Sequence, residues 1–287
     1  MVINEIIPEF IPGAKIKVFG VWGCGNKALN RMIQEGLQGV EFVAVNTDAQ
    51  DLATNLAQKK VNIGLNITKG LGAGANPEIG RKSAEEDEMN IKSVLQDTDM
   101  VFITAGMGGG TGTGAAPVVA SIAKEMGILT VGIVTKPFFM EGKQKLRKAE
   151  KGIKELEENV DTLIVIPNDK ILEMSSKDTR LDDAFEMANQ VLKQGVRGIT
   201  DIIKVPGFIN VDFADVRNTM VNKGIAHMGI GSAKGENRAL EAAKQAIFSP
   251  LLDTTVKGAK ALLLNVTAPK NSFTVSEFQE ASQFITE

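Results

Sequence analysis

The sequence contains few of the residues that build disulfides, histidine metal sites or membrane spans. Its 287 residues include one cysteine, Cys24, and one histidine, His227. A single cysteine allows neither an internal disulfide nor a cysteine metal cluster, so a reducing cytoplasm is the simplest setting. No window approaches the ~20 apolar residues of a membrane helix, and the first residues lack the pattern of a signal peptide. We therefore expect no direct membrane insertion.

Net charge and aromatic content are also low. The net charge of -3 argues against a general nucleic-acid binder, because such proteins usually carry a basic excess. There is no tyrosine and one tryptophan, Trp22. The hydrophobic share of 43% and the charged share of 23% are ordinary for a globular protein with a sizeable core. The length exceeds the usual ~100–200 residues of one domain, which favours one large or two smaller domains.

Short apolar runs alternate with amphipathic stretches in the first half of the chain. This alternation predicts an α/β fold, a mostly parallel sheet with helices on both faces. The predicted strands are Ile16–Val21, Val40–Val45, Asp99–Ala105, Ile128–Thr135 and Thr162–Ile166.

The second half begins with one long helical pattern. Apolar residues recur at helical spacing from Leu181 to Ile203, and Pro206-Gly207 ends the pattern. A smaller α+β unit follows, with strands predicted around Ala226–Gly231 and Ala261–Val266. We find no flexible linker, so the boundary between the two units is expected to be the long helix itself.

The strongest local motif runs from Gly106 to Gly114, where a predicted strand ends and a helix begins. Six of its nine residues are glycines. Glycines let backbone N–H groups approach an anion closely, and a helix N-terminus adds partial positive charge. Thr111 and Thr113 can add hydroxyl hydrogen bonds. The alternative is a flexible turn, but the density of glycine after a strand favours a di- or triphosphate site.

Two common nucleotide motifs are absent or out of place. No Walker A sequence occurs in the chain. The dinucleotide fingerprint normally follows the first strand, whereas Gly20, Gly23 and Gly25 there have the wrong spacing. A dinucleotide-dependent oxidoreductase would also leave the Gly106–Gly114 motif unexplained.

The glycine motif and four further segments resemble motifs of the tubulin/FtsZ family, and all five follow the order that the family has. The other segments are Asn46-Thr47-Asp48, Gly72–Glu78, Pro167-Asn168-Asp169 and Pro206–Val216. The resemblance runs from about Ile16 to the end of the sequence and implies a GTPase domain joined by a long central helix to a smaller domain. The domains expected are 1–176 for GTP binding, 177–204 for the bridging helix, and 205–287 for an activation domain that is incomplete at its end.

The resemblance also implies the ligand and the residues that hold it. The cofactors would be GTP or GDP with magnesium, and magnesium would be held mainly by the phosphates rather than by direct protein ligands. An aromatic residue and an amide four residues apart on one helix face would pack on and read the guanine base. The implied nucleotide contacts are Gly23, Cys24, Gly25, Asn26, Lys27, Asp48, Ala73, Gly74, Ala75, Gly106, Gly108, Gly109, Gly110, Thr111, Gly112, Glu141, Lys145, Phe185 and Asn189.

Four positions depart from the family pattern. In the first loop, residues 22–27, Trp22 and Cys24 replace glycines, and Lys27 stands where a neutral polar residue is common. Trp22 either crowds the nucleotide or points into a core; Lys27 is either a phosphate contact or a solvated lysine. Lys145 replaces an arginine, so it keeps the charge but loses the bidentate fork.

Asp212 and Asp215 begin a predicted helix, with Asn210 just before them. Their spacing alone favours helix capping, because acidic residues are favourable in a first turn. The resemblance instead implies a catalytic role in which they enter the nucleotide site of a neighbouring subunit and activate water. Such a site implies head-to-tail filaments.

The functional expectation is a self-assembling GTPase of the cytokinetic ring in bacterial cell division, cytoplasmic and located at the division site. Its partners would be itself and proteins of the division machinery, with no nucleic acid. The alternative is a divergent or truncated relative that binds GTP or GDP without polymerising or turning over efficiently.

Overall fold

The computed structural model describes residues 13–173, 178–207, 211–251, 258–269 and 272–286. All strands within these ranges belong to one sheet, and every neighbouring pair is parallel. They are β1 (Ile16–Val21), β2 (Val40–Asn46), β3 (Lys59–Asn62), β4 (Met100–Gly106), β5 (Leu129–Lys136), β6 (Thr162–Pro167) and β7 (Gly224–Ala226). Their order across the sheet is β3-β2-β1-β4-β5-β6-β7.

Helices connect these strands and continue beyond them. They are α1 (Trp22–Gln34), α2 (Ala49–Thr54), α3 (Leu65–Thr68), α4 (Pro77–Glu86), α5 (Glu88–Leu95), α6 (Thr111–Glu125), α7 (Lys143–Asn159), α8 (Asn168–Glu173), α9 (Leu181–Lys204), α10 (Phe213–Met220), α11 (Arg238–Ile247) and α12 (Val275–Thr286). None of the described helices is long and apolar enough to cross a bilayer.

Helices cover both faces of the sheet, as the uninterrupted apolar strands require. β1 is buried at all six of its positions. On one face the core is formed with α4, α5, α6 and α7, and on the other with α1, α2, α9 and α10. The predicted α/β fold with a parallel central sheet is confirmed.

Glycines bring α4 and α6 unusually close together, which fixes the start of α6. A methyl group on Gly114 of α6 would lie 1.9 Å from the carbonyl oxygen of Pro77, and one on Gly80 of α4 would lie 2.5 Å from that of Gly110. Only hydrogen fits at either position. The two helices therefore contact backbone to backbone beside the Gly106–Gly114 motif.

The long helix α9 runs from the carboxyl edge of the sheet to its amino edge. At 24 residues it spans about 36 Å. Asn189, near its beginning, contacts Cys24 just after β1 ends. Lys204, at its end, packs on Gly39 just before β2 begins. The predicted helix Leu181–Ile203 is thus confirmed, although the boundary expected at residues 176–177 lies outside the described residues.

Two predicted strands in the C-terminal region were wrong. The strand expected at Ala226–Gly231 is limited to β7, which joins the main sheet beside β6. Beyond it, methyl groups on Gly229 and Gly231 would lie 1.9 Å and 1.8 Å from carbonyl oxygens of α11, so the chain packs on that helix instead. The residues expected as the strand Ala261–Val266 pair with no strand among the described residues.

The close contact between α4 and α6 predicts opposite effects for two glycine-to-alanine substitutions. Gly114→Ala should lower the free energy of unfolding by on the order of 2 kcal/mol or more, because the helices must separate. Gly198→Ala should raise it by roughly 0.5–1 kcal/mol, because Gly198 lies in α9 and no atom of the described residues is within 4 Å of an added methyl group. Urea unfolding curves of the two variants measure both changes. If the two substitutions changed the free energy of unfolding equally, the close contact between α4 and α6 would be contradicted.

Candidate nucleotide site

The sequence-predicted nucleotide contacts lie mainly in loops at the carboxyl edge of the sheet. In an open parallel sheet, this edge is where ligands bind. Neighbouring strands β2, β1, β4, β5 and β6 all end here, so their loops converge although they are far apart in sequence.

The glycine motif presents a row of unpaired donors. The backbone N–H groups of residues 109–113 form no hydrogen bond with any residue that the structure describes. They lie at the N-terminus of α6, whose dipole adds partial positive charge. A helix start with unpaired N–H groups and no side-chain cap is a binding site for an anion.

Three threonines hold the loop in shape. The Thr113 hydroxyl accepts a hydrogen bond from the N–H of Gly108 at 2.8 Å. The buried hydroxyls of Thr111 and Thr47 lie 2.6 Å apart, which ties the loop to the end of β2. Thr113 was expected to offer its hydroxyl to an anion, and here that hydroxyl accepts a hydrogen bond from within the loop itself. Thr47 was not among the residues predicted for the site, because its contact joins segments 64 positions apart, which sequence spacing does not reveal.

The segment that precedes α4, residues 72–76 (the third loop), packs directly against the glycine motif. A methyl group on Gly110 would lie 2.9 Å from both the Ala73 side chain and the Asn76 backbone nitrogen. Gly74 and Ala75 adopt left-handed backbone angles, each with φ of 56°. The carbonyl of Ala75 accepts a hydrogen bond from Lys148 at 2.7 Å. The loop that holds Ala73, Gly74 and Ala75 therefore lies beside the glycine motif, and their contact with a nucleotide stays a prediction.

Asp48 lies at the end of β2 and caps α2. Its Oδ1 atom accepts hydrogen bonds from the N–H groups of Gln50 at 2.9 Å and Asp51 at 3.1 Å. This capping accounts for one carboxylate oxygen. The Gly72 backbone lies close by, with an added methyl group 3.9 Å from the other oxygen, Oδ2.

The first loop contains residues packed against the core and one residue exposed to solvent. Gly25 packs on the β4 backbone, where a methyl group would lie 2.2 Å from the Thr104 carbonyl oxygen. Asn26 is buried, and its amide nitrogen donates to the Val45 carbonyl at 3.4 Å. The Asn26 side chain is thus directed between β1 and β2. Lys27 is exposed and forms no ion pair within the described ranges.

Cys24 contacts the residue predicted to read the base. Its thiol donates a hydrogen bond to the Oδ1 atom of Asn189 at 3.2 Å, and the Thr135 hydroxyl donates to the sulfur at 3.8 Å. Burial raises the pKa of the Cys24 thiol to about 11. The cysteine is therefore a neutral hydrogen-bond donor and not an activated nucleophile.

Phe185 and Asn189 lie on one face of α9, as their spacing predicts. Phe185 is 37% exposed and makes an edge-to-face contact with the buried Phe138, with ring centroids 5.1 Å apart. Asn189 is buried, and its amide nitrogen donates to Glu186 at 3.3 Å. One partly exposed ring beside one fixed amide is an arrangement that can stack on and read a purine base.

A second amide, Asn168, was missed as a site residue. It follows β6 at the same edge of the sheet and is 4% exposed, and its Oδ1 atom has no hydrogen-bond partner among the residues that the structure describes. A buried amide oxygen without a partner is rare and calls for a donor. The Pro167-Asn168-Asp169 segment was part of the family resemblance, but the sequence alone gave no reason to assign Asn168 a role.

Glu141, in the loop between β5 and α7 (the fifth loop), pairs with Lys145 in the first turn of α7. The Glu141 carboxylate accepts a hydrogen bond from the N–H of Phe138 at 2.9 Å and forms an ion pair with Lys145. A methyl group on Gly108 would lie 2.8 Å from the Lys145 Cγ atom, so the lysine is next to the phosphate loop. Glu141 would have to share its carboxylate to contact a ribose.

Asp212 and Asp215 lie at α10, away from the phosphate loop. The helix is fixed at the amino edge of the sheet: Arg217 donates to the Gly127 carbonyl at 3.2 Å, and the Met220 carbonyl accepts a hydrogen bond from Thr162 at 2.5 Å. Gly127 and Thr162 lie where β5 and β6 begin. Strands of six to eight residues separate the two edges by about 20–25 Å.

Asp212 also caps α10, since its Oδ1 atom accepts a hydrogen bond from the N–H of Asp215 at 2.8 Å. The capping interpretation is confirmed, and it leaves the second oxygen of Asp212 unbonded within the described residues. Asn210 lies outside the described residues. Those residues also contain no group of three or more His, Cys, Asp or Glu side chains that could hold a metal ion.

The parallel sheet, with a glycine loop at its carboxyl edge, is that of a nucleotide-binding α/β protein. Residues 15–176 match the family model for the GTPase domain of the tubulin/FtsZ family, and residues 224–287 match that for the C-terminal domain of the FtsZ family. The chain therefore belongs to the tubulin/FtsZ family. Membership implies GTP or GDP binding and a GTPase-type enzyme at the level of the family.

Solved structures agree with this assignment. The chain is 48% identical to FtsZ from M. jannaschii, solved as an empty dimer, with a TM-score of 0.91 over 95% of this chain and 79% of that chain. It is 25% identical to CetZ2 from Haloferax volcanii, solved as a GTPγS-bound protofilament, with a TM-score of 0.71 over 82% and 73%. CetZ1 from the same organism, a GDP-bound monomer, is also 25% identical, with a TM-score of 0.70.

The raised pKa of Cys24 predicts slow alkylation. With a pKa of about 11, the thiolate fraction at pH 8 is about 0.001, so iodoacetamide should react roughly 100-fold more slowly than with the unfolded chain. The rate in the folded protein should rise about tenfold per pH unit between pH 7 and 9, without the levelling near pH 8.5 of an ordinary thiol. Mass spectrometry of this single cysteine measures the alkylation rate at each pH. A plateau of the rate near pH 8.5 would contradict the raised pKa of Cys24.

Proposed function

We propose that this protein is a GTPase that assembles head to tail and hydrolyses GTP at a site shared between adjacent subunits. One observation carries the proposal: the phosphate loop and the Asp212–Asp215 pair lie at opposite edges of one parallel sheet. A single chain cannot bring them together. Two chains stacked along the strand direction place the amino edge of one against the carboxyl edge of the next.

Nucleotide binding is supported by the unpaired donors of the carboxyl edge. The N–H groups of residues 109–113 would hold the phosphates. At the other end, Phe185 would pack on the base while Asn189 and Asn168 read its edge. The Cys24 thiol occupies one lone pair of the Asn189 oxygen, which fixes the amide and leaves a second lone pair for the guanine N–H groups.

The proposed reaction is an in-line displacement. A water oxygen forms a bond to the γ-phosphorus while the bond from that phosphorus to the β–γ bridging oxygen breaks, leaving GDP and inorganic phosphate. Asp212 and Asp215 of the neighbouring subunit would orient the water and accept a hydrogen bond from it, while the loop N–H groups stabilise the charge on the phosphate oxygens. Asn210, one of the residues predicted for catalysis, belongs to the same proposal.

Magnesium belongs to this proposal as the counterion of the phosphates. Because the described residues offer no acidic cluster for it, the phosphate oxygens would supply most of its ligands. When bound, it would neutralise charge between the β- and γ-phosphates.

The biological role we propose is filament formation in the cytokinetic ring, in the cytoplasm at the site of cell division, with the division machinery as partner. Its support is the 48% identity to FtsZ. The sequence was expected to be bacterial, whereas the similar structures reported above come from M. jannaschii and Haloferax volcanii. The domain limits 1–176, 177–204 and 205–287 are part of the same proposal.

A relative that binds nucleotide without efficient turnover is the second candidate. The Glu141–Lys145 ion pair favours it, because both side chains are engaged with each other and not presented to a ligand. The two candidates differ in whether hydrolysis depends on protein concentration.

The shared site predicts that GTP hydrolysis per molecule rises with protein concentration. Asp212→Asn keeps the helix cap, since asparagine caps as well as aspartate, but removes the carboxylate. It should bind GTP like the unaltered protein and lose on the order of 100-fold in turnover. Phosphate release across a concentration series measures this.

Glu85→Ala is a matched control, because it removes an exposed carboxylate from α4 and should leave turnover unchanged. If activity per molecule is independent of concentration, or if Asp212→Asn hydrolyses GTP normally, the shared site is wrong.

A further inference from the structure

The one tryptophan of the chain lies against the middle of the phosphate loop. A methyl group on Gly109 would lie 2.7 Å from the Cζ3 atom and 3.1 Å from the Cη2 atom of Trp22, and the three nearest atoms all belong to the indole. Gly109 does not have a left-handed backbone angle, so alanine could adopt its conformation. The indole, rather than the backbone, makes glycine necessary here.

The backbone of the first loop directs this ring. Trp22 has a φ of 52°, a left-handed angle that bulky residues rarely adopt, and Gly23 follows with a φ of 40° and a ψ of -114°. Val21 before them is fixed in β1, and Gly25 after them packs on the β4 backbone. The unusual turn between these fixed points places the indole on Gly109.

The three consecutive glycines of the loop are each supported by a different segment. Gly108 packs against Pro137 of the fifth loop and against Lys145 in the first turn of α7. Gly110 packs against the third loop. Gly109 packs against Trp22 of the first loop. A run of glycines has little stiffness of its own, so its shape depends on these supports.

We propose that Trp22 is a positioning residue for the terminal phosphate of the nucleotide. Its indole fixes Gly109, and with it the direction of the unpaired N–H groups that follow. The proposal rests on the proposed nucleotide-binding function. It assigns Trp22 to the phosphate end of the site, whereas Phe185 belongs to the base end, so removal of each ring should affect different parts of the ligand.

The test compares the affinities of GDP and GMP by competition against a fluorescent GDP. Trp22→Ala and Trp22→Gly should both bind GDP about tenfold more weakly, while GMP changes less than twofold, because a misplaced loop loses the terminal phosphate. The glycine variant removes the ring and the backbone strain together, so equal losses in both variants identify the ring as the cause. Phe185→Ala should weaken GDP and GMP alike.

A second measurement uses the contact with Gly109. Gly109→Ala should weaken GDP binding, and the double variant Trp22→Ala with Gly109→Ala should bind GDP better than Gly109→Ala alone, because the space for the methyl group has been created. In the unaltered protein, the emission of Trp22 should change on saturation with GDP, and this needs no variant.

The outcomes separate the two claims. If the unaltered protein binds neither GDP nor GTP, the proposed function fails. If it binds GDP but Trp22→Ala and Trp22→Gly bind GDP as tightly as the unaltered protein does, the positioning role is overturned. The role is also overturned if the emission of Trp22 does not change when GDP binds. A parallel loss of GDP and GMP affinity in both variants would likewise overturn it, since that result indicates general destabilisation.

Discussion

The polarity of the parallel sheet is the constraint on which the rest of this structure depends. All its strands point the same way, so every loop that follows a strand lies at one edge and every loop that precedes a strand lies at the other. The phosphate loop is at the first edge, and α10 with Asp212 and Asp215 is fixed at the second. The proposed chemistry therefore requires a second molecule, stacked on the first along the strand direction.

At the carboxyl edge, the site combines an anion-binding loop with supports from distant segments. The loop offers N–H groups that no described residue uses, and its glycines allow close packing by the first, third and fifth loops. Cys24 connects this part to Asn189, the residue proposed to read the base, through a hydrogen bond. In the proposed site, the first loop thus contacts both the phosphate end and the base end.

Local patterns predicted much of this arrangement, and non-local packing explains the rest. The apolar runs and the Gly106–Gly114 motif indicated the sheet and the phosphate loop, because strand burial and glycine density are local properties. The Cys24–Asn189 contact joins residues 165 positions apart, and the contact of Trp22 with Gly109 depends on a left-handed turn. The orientation of Asn26 toward the core and the early end of β7 also depend on neighbours that spacing does not specify.

The most direct test of the central claim is a mixing experiment with two inactive variants. Gly110→Ala should block the phosphate loop, because its methyl group would lie 2.9 Å from Ala73, while Asp212→Asn removes the water-activating carboxylate. Each variant alone should hydrolyse GTP slowly. Mixed in equal amounts, they can pair an intact loop from one chain with an intact carboxylate from the other, so hydrolysis should reappear and rise with concentration. If the mixture is no more active than its components, the two halves of the site do not meet between subunits.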